Sequence, residues 1–450
     1  MRFAFNTRRV VRPVSAFAAA VAVSGCTTDI LNVATPNVIA ESALGGSAGA
    51  TTLRNGAVMD FIVAYSGTQD GYVVSSGNLG DEIQTTDTFA DRYATDQRAA
   101  TDLLGGATNT AYENLQKARA GLASSIVKWK AVKTASAAVN DSLAEMYAVR
   151  AFSETAFGEG FCSGVPFSRV LESGDFEYGQ PLTNAQMFST ALATADSALA
   201  SATGTNVRSL ASLAKGRILL NQGQYAQAAA AVAGVATSYK YVLSHSIATT
   251  RQNNGIWQAT FVSGSRYNVG TAEGTNGIDY LVTPADPRVP WVPSSRIGFD
   301  GTSLNLPHQQ KYTSQAAPFT LADGIEARLI EAEAKLGSAT ASTQAERDAM
   351  VAALNTLRAT GLATAIAPLT SPTTHAAAVD MVFKERAFWL WLTGHRLGDM
   401  RRLVNQYGRA ANTVFPVGTM RYRNAQYGTR TSLIVPVREK NNPNFNGCAD

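Results

Sequence analysis

Long stretches rich in alanine and leucine, with apolar residues recurring every three or four positions, fill most of this chain and commit it to packed helices. They run over 42–65, 109–133, 140–157, 184–202, 207–222, 224–236, 320–336, 342–359, 373–393 and 394–405. Leu143, Tyr147 and Ala151 make one such stripe; Val351, Leu354 and Leu357 make another, and Phe383, Ala387 and Leu390 a third. Strand-like material is sparse, although Ser432–Val437 reads as a short β segment.

One helix pair has a sharper signature. Gly216, Leu219, Gly223, Tyr225, Ala228 and Val232 fall at the offsets of a tetratricopeptide repeat. Small residues let two antiparallel helices approach, Gly223 makes the turn, and Tyr225 covers the seam. A second pair, Leu321 to Gly337 and Gln344 to Ala359, is similar, and stacked pairs bury one continuous core. The expected fold is mostly α: a tetratricopeptide-like helical-pair scaffold with long irregular loops and minor β segments.

The N-terminus has a different character. Arg2, Arg8, Arg9 and Arg12 precede a short apolar stretch, Val14 to Val23, and the run Val23-Ser24-Gly25-Cys26. That is a secretory signal with small residues before the cut. Its apolar core is about ten residues, against the roughly twenty that span a bilayer. The final four residues resemble a bacterial lipobox, in which the cysteine is lipidated and becomes the first residue of the mature chain. The expected division is a signal over 1–25, a tether over 26–41 and a single domain over 42–450.

Removing the signal changes the charge argument. Its four arginines account for the whole formal charge of +4, which comes from 38 basic against 34 acidic residues. From Cys26 onward the chain is neutral, so it has no electrostatic footprint for nucleic acid. Export places Cys162 and Cys448 where disulfides persist, and the two are expected to pair, with two separate thiols as the alternative.

Two stretches lack the helical pattern: Gly67 to Thr88, and Ser238 to Phe319 with its repeated prolines. Loops this long are functional or disordered, and embedded aromatics argue against disorder. Elsewhere, catalytic chemistry is hard to find. His245, His308, His375 and His395 have no partners at metal-ligand spacing, and neither a nucleophile elbow nor a phosphate loop is present. Glu331 and Glu333 read as a solvated helix face. Asp81-Glu82 is the one pair that an acid–base mechanism could use. No metal or cofactor is implied.

The C-terminal segment carries a family resemblance. Lys384-Glu385-Arg386-Ala387-Phe388, then Thr393-Gly394-His395-Arg396-Leu397-Gly398-Asp399-Met400-Arg401-Arg402, resembles the signature of the SusD/RagB family of outer-membrane nutrient-binding lipoproteins. Ile434-Val435-Pro436-Val437-Arg438-Glu439 with Asn442-Pro443-Asn444 resembles that family's closing motif. Ala332-Glu333-Ala334, Leu354-Asn355 with Arg358, Asp286-Pro287-Arg288, and the segment from Arg150 through Gly164-Val165-Pro166 match further family segments. Two departures stand out: Trp389-Leu390-Trp391-Leu392 replaces an acidic position, and the tail ends in Cys448.

The resemblance implies a surface lipoprotein that binds an oligosaccharide, or less often a peptide, and works with a SusC-like TonB-dependent transporter of the outer membrane. It implies no catalysis. Arg386, Arg396, Asp399 and Arg401 lie near a helix junction at Gly394 and read as a buried ion network joining two helices, not as the ligand site. The candidate ligand residues come from the two irregular stretches: Tyr72, Asn78, Asp81, Glu82 and Phe89, then Trp257, Tyr267, Tyr280 and Trp291. Two alternatives remain: a lipid-anchored glycan hydrolase using Asp81 or Glu82, and a repeat scaffold that binds another protein. Cys26→Ala is expected to release the chain from the membrane or leave it unprocessed, as read by cell fractionation and the mass of the mature N-terminus.

Overall fold

Helix boundaries follow the apolar stripes closely in the computed structural model, which describes residues 44–104, 106–171, 175–262, 265–282 and 285–449. The signal, the tether and Cys26 lie outside the described residues. The chain begins with α1 (Gly46–Ser66), α2 (Tyr72–Gly80), β1 (Ile83–Thr85), α3 (Ala90–Asp96), α4 (Gly106–Val132) and α5 (Ala137–Gly160). Four two-residue strands follow: β2 (Val165–Pro166), β3 (Arg169–Val170), β4 (Phe176–Glu177) and β5 (Pro181–Leu182). Then come α6 (Asn184–Ser201), α7 (Thr205–Asn221), α8 (Tyr225–Val232), β6 (Lys240–Leu243), α9 (Gly255–Phe261) and β7 (Tyr267–Val269). A hairpin, β8 (Trp291–Ser294) and β9 (Leu306–Gln309), precedes β10 (Phe319–Asp323), α10 (Gly324–Ala334), α11 (Gln344–Thr360), α12 (His375–Trp389), α13 (Arg396–Asn405) and α14 (Ala411–Val414). The sheets are two-stranded and antiparallel: β1–β7, β2–β5, β3–β4, β6–β10 and β8–β9.

Local chemistry sets the helix starts. Thr183 with Gln186, and Thr343 with Glu346, form capping boxes on α6 and α11. Ser136, Asn254, Asp323 and Thr374 cap α5, α9, α10 and α12 through their side chains. The helices then stack in succession, α4 on α5, α5 on α6, α6 on α7, α7 on α8, α8 on α10 and α10 on α11. Each buries its stripe against the next, as in a solenoid. In the repeat pair α7–α8, Gly223 turns with φ of 71°, and a Cβ on Gly216 would stand 2.4 Å from Val232 Cγ1. Only glycine lets those helices close.

Four expectations need correction. Gly67–Thr88 is not all loop, because α2 lies within it and is buried throughout. Its glycines and serines serve as small contact surfaces: Gly80 sits against Arg396 and Leu397 of α13. Tertiary burial overrides weak helix propensity there. Likewise, α9 interrupts the stretch Ser238–Phe319. Leu321–Asp323 extends β10 along β6 instead of starting a helix, and Asp323 caps α10. Ser432–Val437 is not a strand. Only Leu433 bridges, to Phe161, and Val437–Asn441 forms a short 3-10 turn after Pro436, which has no N–H to give.

Cys162 and Cys448 form a disulfide, with Cα atoms 5.5 Å apart and 286 residues between them. Ser163 and Ala449 exchange two backbone hydrogen bonds beside it. Closing so long a loop contributes on the order of 5 kcal/mol in the chain-entropy account.

The helices around α13 are joined by buried ion pairs. Arg396 grips Asp81 through two hydrogen bonds of 2.8 and 2.9 Å. Arg386 grips Asp399 at 2.8 and 3.0 Å, and Arg402 bridges Asp399 to Glu333 on α10. Glu333 is thus buried, not part of a solvated face; Tyr407 also donates to it, at 2.6 Å. Burial opposes ionisation of Asp399, yet Arg386 and Arg402 hold its carboxyl well below the usual range. Arg401 is buried on the same helix. Glu385 faces a different set, accepting from Arg288 at 2.8 Å, Arg358 at 2.6 Å and the Trp389 indole at 3.2 Å.

Asp81 occupies the left-handed C-cap of α2, with φ of 84°, and its partner is Arg396, whereas Asp399 pairs with Arg386 and Arg402. Arg396→Ala strands a buried carboxylate and is expected to lower the unfolding free energy by about 3 kcal/mol or more in denaturant titration. An Asp81→Asn/Arg396→Met double variant, in which asparagine still tolerates the left-handed cap, should recover much of that loss.

Glu82 is buried, accepts from the Leu392 N–H at 2.7 Å and makes no ion pair among the described residues. Burial pushes its carboxyl from 4.5 up to about 8. A carboxyl raised in the folded state contributes stability that is full below its unfolded value and lost as pH rises to the folded one. Glu82→Gln should therefore gain thermal stability over wild type progressively between pH 4.5 and about 8, and keep a constant advantage above that.

Candidate functional site

The nine candidate ligand residues divide sharply by exposure. Tyr72, Asn78, Asp81, Glu82, Tyr267 and Tyr280 are all buried, which corrects their assignment to a binding surface. Tyr72 packs on Tyr65 with ring centroids 5.3 Å apart and closes over Gly160 and Gly394. Asn78 donates to the Arg92 carbonyl. Tyr267 lies within β7, and Tyr280 packs between Phe388 and Trp391, at 5.5 and 6.4 Å. Asp81 and Glu82 are committed as described above, so neither is placed to meet a polymer in solvent.

Trp257 and Trp291 are half-buried. Trp257 lies on α9 beside Phe261, and Trp291 opens the β8–β9 hairpin opposite Gln309. Phe89 alone of the nine is well exposed, at 52%.

What holds Phe89 in place is a chain of polar contacts beneath it. β1 pairs with β7 in the register Ile83↔Val269, Gln84↔Asn268 and Thr85↔Tyr267, which brings Arg266 beside Thr86 and Asp87. Asp87 accepts from the Phe89 N–H at 3.0 Å, forming the turn that starts α3. The same carboxylate accepts from Arg92 at 2.8 Å and Arg266 at 2.5 Å. Burial raises the Asp87 carboxyl, but those three donors outweigh it and hold it below its ordinary value. Arg92 also grips Asp70 with two bonds of 2.8 Å.

The tip of the β8–β9 hairpin completes the arrangement. Asp300 accepts from the Thr302 and Ser303 N–H groups, both at 2.9 Å, and from the Ser303 hydroxyl at 2.6 Å. Gly301 turns with φ of 71°, and Gly298 packs against Thr86 so closely that a Cβ would stand 2.9 Å from its side chain. Phe299 thereby comes to lie beside Phe89, with centroids 6.3 Å apart and planes inclined by 32°. The Arg266 guanidinium sits 3.6 Å from the Phe299 centroid and 5.0 Å from that of Phe89, and Arg92 stands a further 5.0 Å from Phe89. Ile297 and Leu304 of the same tip are 51% and 58% exposed. Arg423 covers the Tyr93 ring at 4.3 Å and donates to the Asp87 carbonyl.

Sequence reasoning missed Phe299, Arg266 and Arg92. The signal for Phe299 was the run Gly298-Phe299-Asp300-Gly301, an aromatic residue flanked by turn formers. Arg266 and Arg92 had none, because only the β1–β7 register brings them together. A separate cleft of about 500 Å³ lies between Asn276–Asp279 and the helices α12 to α14, but no exposed aromatic ring lines it. Among the described residues, no group of His, Cys, Asp or Glu could hold a metal ion, and no helix is long and apolar enough to cross a membrane.

No protein-family model matches the chain, and no curated protein does. Solved structures do match. A SusD-like carbohydrate-binding protein from Bacteroides vulgatus superposes with a TM-score of 0.63 at 14% identity, over 89% of this chain and 98% of that one. A second, from Bacteroides fragilis, gives 0.64 at 15% identity over 90% and 100%. A laminarin-binding SusD-like protein gives 0.59 at 15% identity over 90% and 99%. Identities this low speak to architecture alone, and on that point they agree with the motifs around Glu385 and Arg396: the chain has the SusD-like fold.

Proposed function

We propose that this protein belongs to the SusD/RagB family as a lipid-anchored, non-enzymatic binding protein. In this reading it captures an oligosaccharide at the outer surface and passes it to a SusC-like TonB-dependent transporter. The observation that carries the proposal is the exposed Phe89 ring, flanked by the half-buried Phe299 and seated with it on Arg266. Sugar rings present apolar C–H faces that stack on aromatic planes, while their hydroxyls need donors and acceptors at the edge. Arg423 and Asp300 stand where such edge contacts are needed. The solved relatives described as binding carbohydrate or laminarin support a sugar over a peptide.

The hydrolase alternative loses its support with Asp81 locked to Arg396 and Glu82 buried. The platform is also built for surface contact, with two rings, a short hairpin tip and a fixed turn, and needs no closure of a deep cavity. Cys26 supplies the anchor in this reading, and the transporter follows from the resemblance.

Calorimetric titration with a laminari-oligosaccharide, or with the best hit of a melting-temperature screen of glycans, tests the platform. Phe89→Ala and Phe299→Ala should each weaken binding about tenfold, equivalent to ~1.4 kcal/mol, without loss of fold. Trp257→Ala should weaken it less. Undiminished binding in both phenylalanine variants would place the site elsewhere.

A further inference from the structure

A cleft remote in sequence from the Phe89 platform has an unusual charge balance. It opens between α4, α5 and the β3–β4 hairpin, with a volume of about 480 Å³. Four cations line it: Arg119, Lys130, Arg150 and Arg169. Arg150 is offset by Glu154 at 2.8 Å, and Arg169 by Glu177 at 2.7 Å. Arg119 and Lys130 have no carboxylate in ion-pair contact among the described residues.

Arg119 is the more telling of the two. It is only 4% exposed, yet its hydrogen bonds go to neutral acceptors, Gln116 Oε1 at 3.0 Å and the Ser168 carbonyl. Fully buried guanidinium groups are almost always paired with an acid. Its guanidinium carbon lies 4.6 Å from the Phe167 ring centroid, a cation–π contact that helps hold the fork in place. Burial pushes this guanidinium down to about 10; Glu154, Tyr112 and Glu439 act against that and Arg150 with it. Lys130 donates to the Tyr147 hydroxyl at 2.7 Å, with the ammonium 5.2 Å from the ring centroid. The cleft therefore offers a planar fork, an ammonium and two aromatic side chains.

We propose that this cleft is a second binding site, which takes the carboxylate or sulfate group of an acidic saccharide with Arg119 as its anchor. With Nε and one Nη2 hydrogen engaged by Gln116 and Ser168, an oxoanion would be met by the remaining N–H donors of Nη1 and Nη2. Lys130 would add charge, and Tyr147 would face the sugar ring. The proposal rests on the sugar-binding reading above, and extends it from neutral to charged glycans.

The test is calorimetric titration of the full mature chain with three probes: a galacturonate trimer, a sulfated galactose disaccharide and a neutral gluco-oligosaccharide. At least one acidic probe should bind, at least tenfold more weakly in Arg119→Gln and in Lys130→Ala/Arg169→Ala, and more weakly at 300 mM than at 20 mM salt. The double variant alters exposed side chains, so it keeps the test open if Arg119→Gln fails to fold. Failure of both acidic probes to bind wild type, or undiminished binding in the double variant, overturns the proposal. If the neutral probe binds while neither acidic probe does, the second site is overturned and the platform reading stands. The opposite pattern supports the second site and counts against the platform.

Discussion

The buried pairing of arginines with carboxylates around α13 is the interaction on which the rest of the structure depends. A solenoid of helical pairs buries apolar stripes between neighbours, but that packing alone does not fix how a C-terminal helix closes on the N-terminal ones. Arg396 does so by reaching Asp81 at the end of α2, and Arg402 by reaching Glu333 on α10. Arg217 of α7 adds a third tie, gripping Glu159 at the end of α5 and donating to the Gly394 carbonyl. Because each charge is buried, losing one partner strands the other. The arrangement is thus specific as well as strong.

That frame decides where the platform sits. Asp81 ends α2, β1 starts two residues later, and the β1–β7 pairing delivers Arg266 to Asp87. One carboxylate then organises a turn, two guanidinium groups and, through them, two aromatic rings. Conformational freedom is removed before any ligand arrives, so binding would not have to supply that ordering. The same economy of parts marks the cleft at Arg119, where Phe167 orients the guanidinium but leaves its charge without an acid.

Much of this was legible in the chain. The stripe through Val351, Leu354 and Leu357 located α11, and the small residues at Gly216 and Ala228 located the α7–α8 hairpin, because periodicity and close approach are local properties. Arg386, Arg396, Asp399 and Arg401 were readable as buried charge, while Glu385 stood only within the family motif. The partners were not: Glu385 turns to Arg288 and Arg358, and Arg386 to Asp399. Phe89, Tyr72 and Tyr280 carried equal aromatic signals, yet Phe89 is exposed while Tyr72 and Tyr280 are core.

The sequence by itself determined the helical class and the repeat geometry, since these depend on neighbours within a turn or two of helix. Tertiary structure decided which polar and aromatic groups face solvent. Asp81 and Arg396 are separated by 315 residues, and nothing local to either predicts the other. Likewise Phe299 and Phe89 become one surface only when a hairpin tip packs on Thr86. Burial of a side chain is settled by what covers it, and here the covering element comes from the far end of the chain.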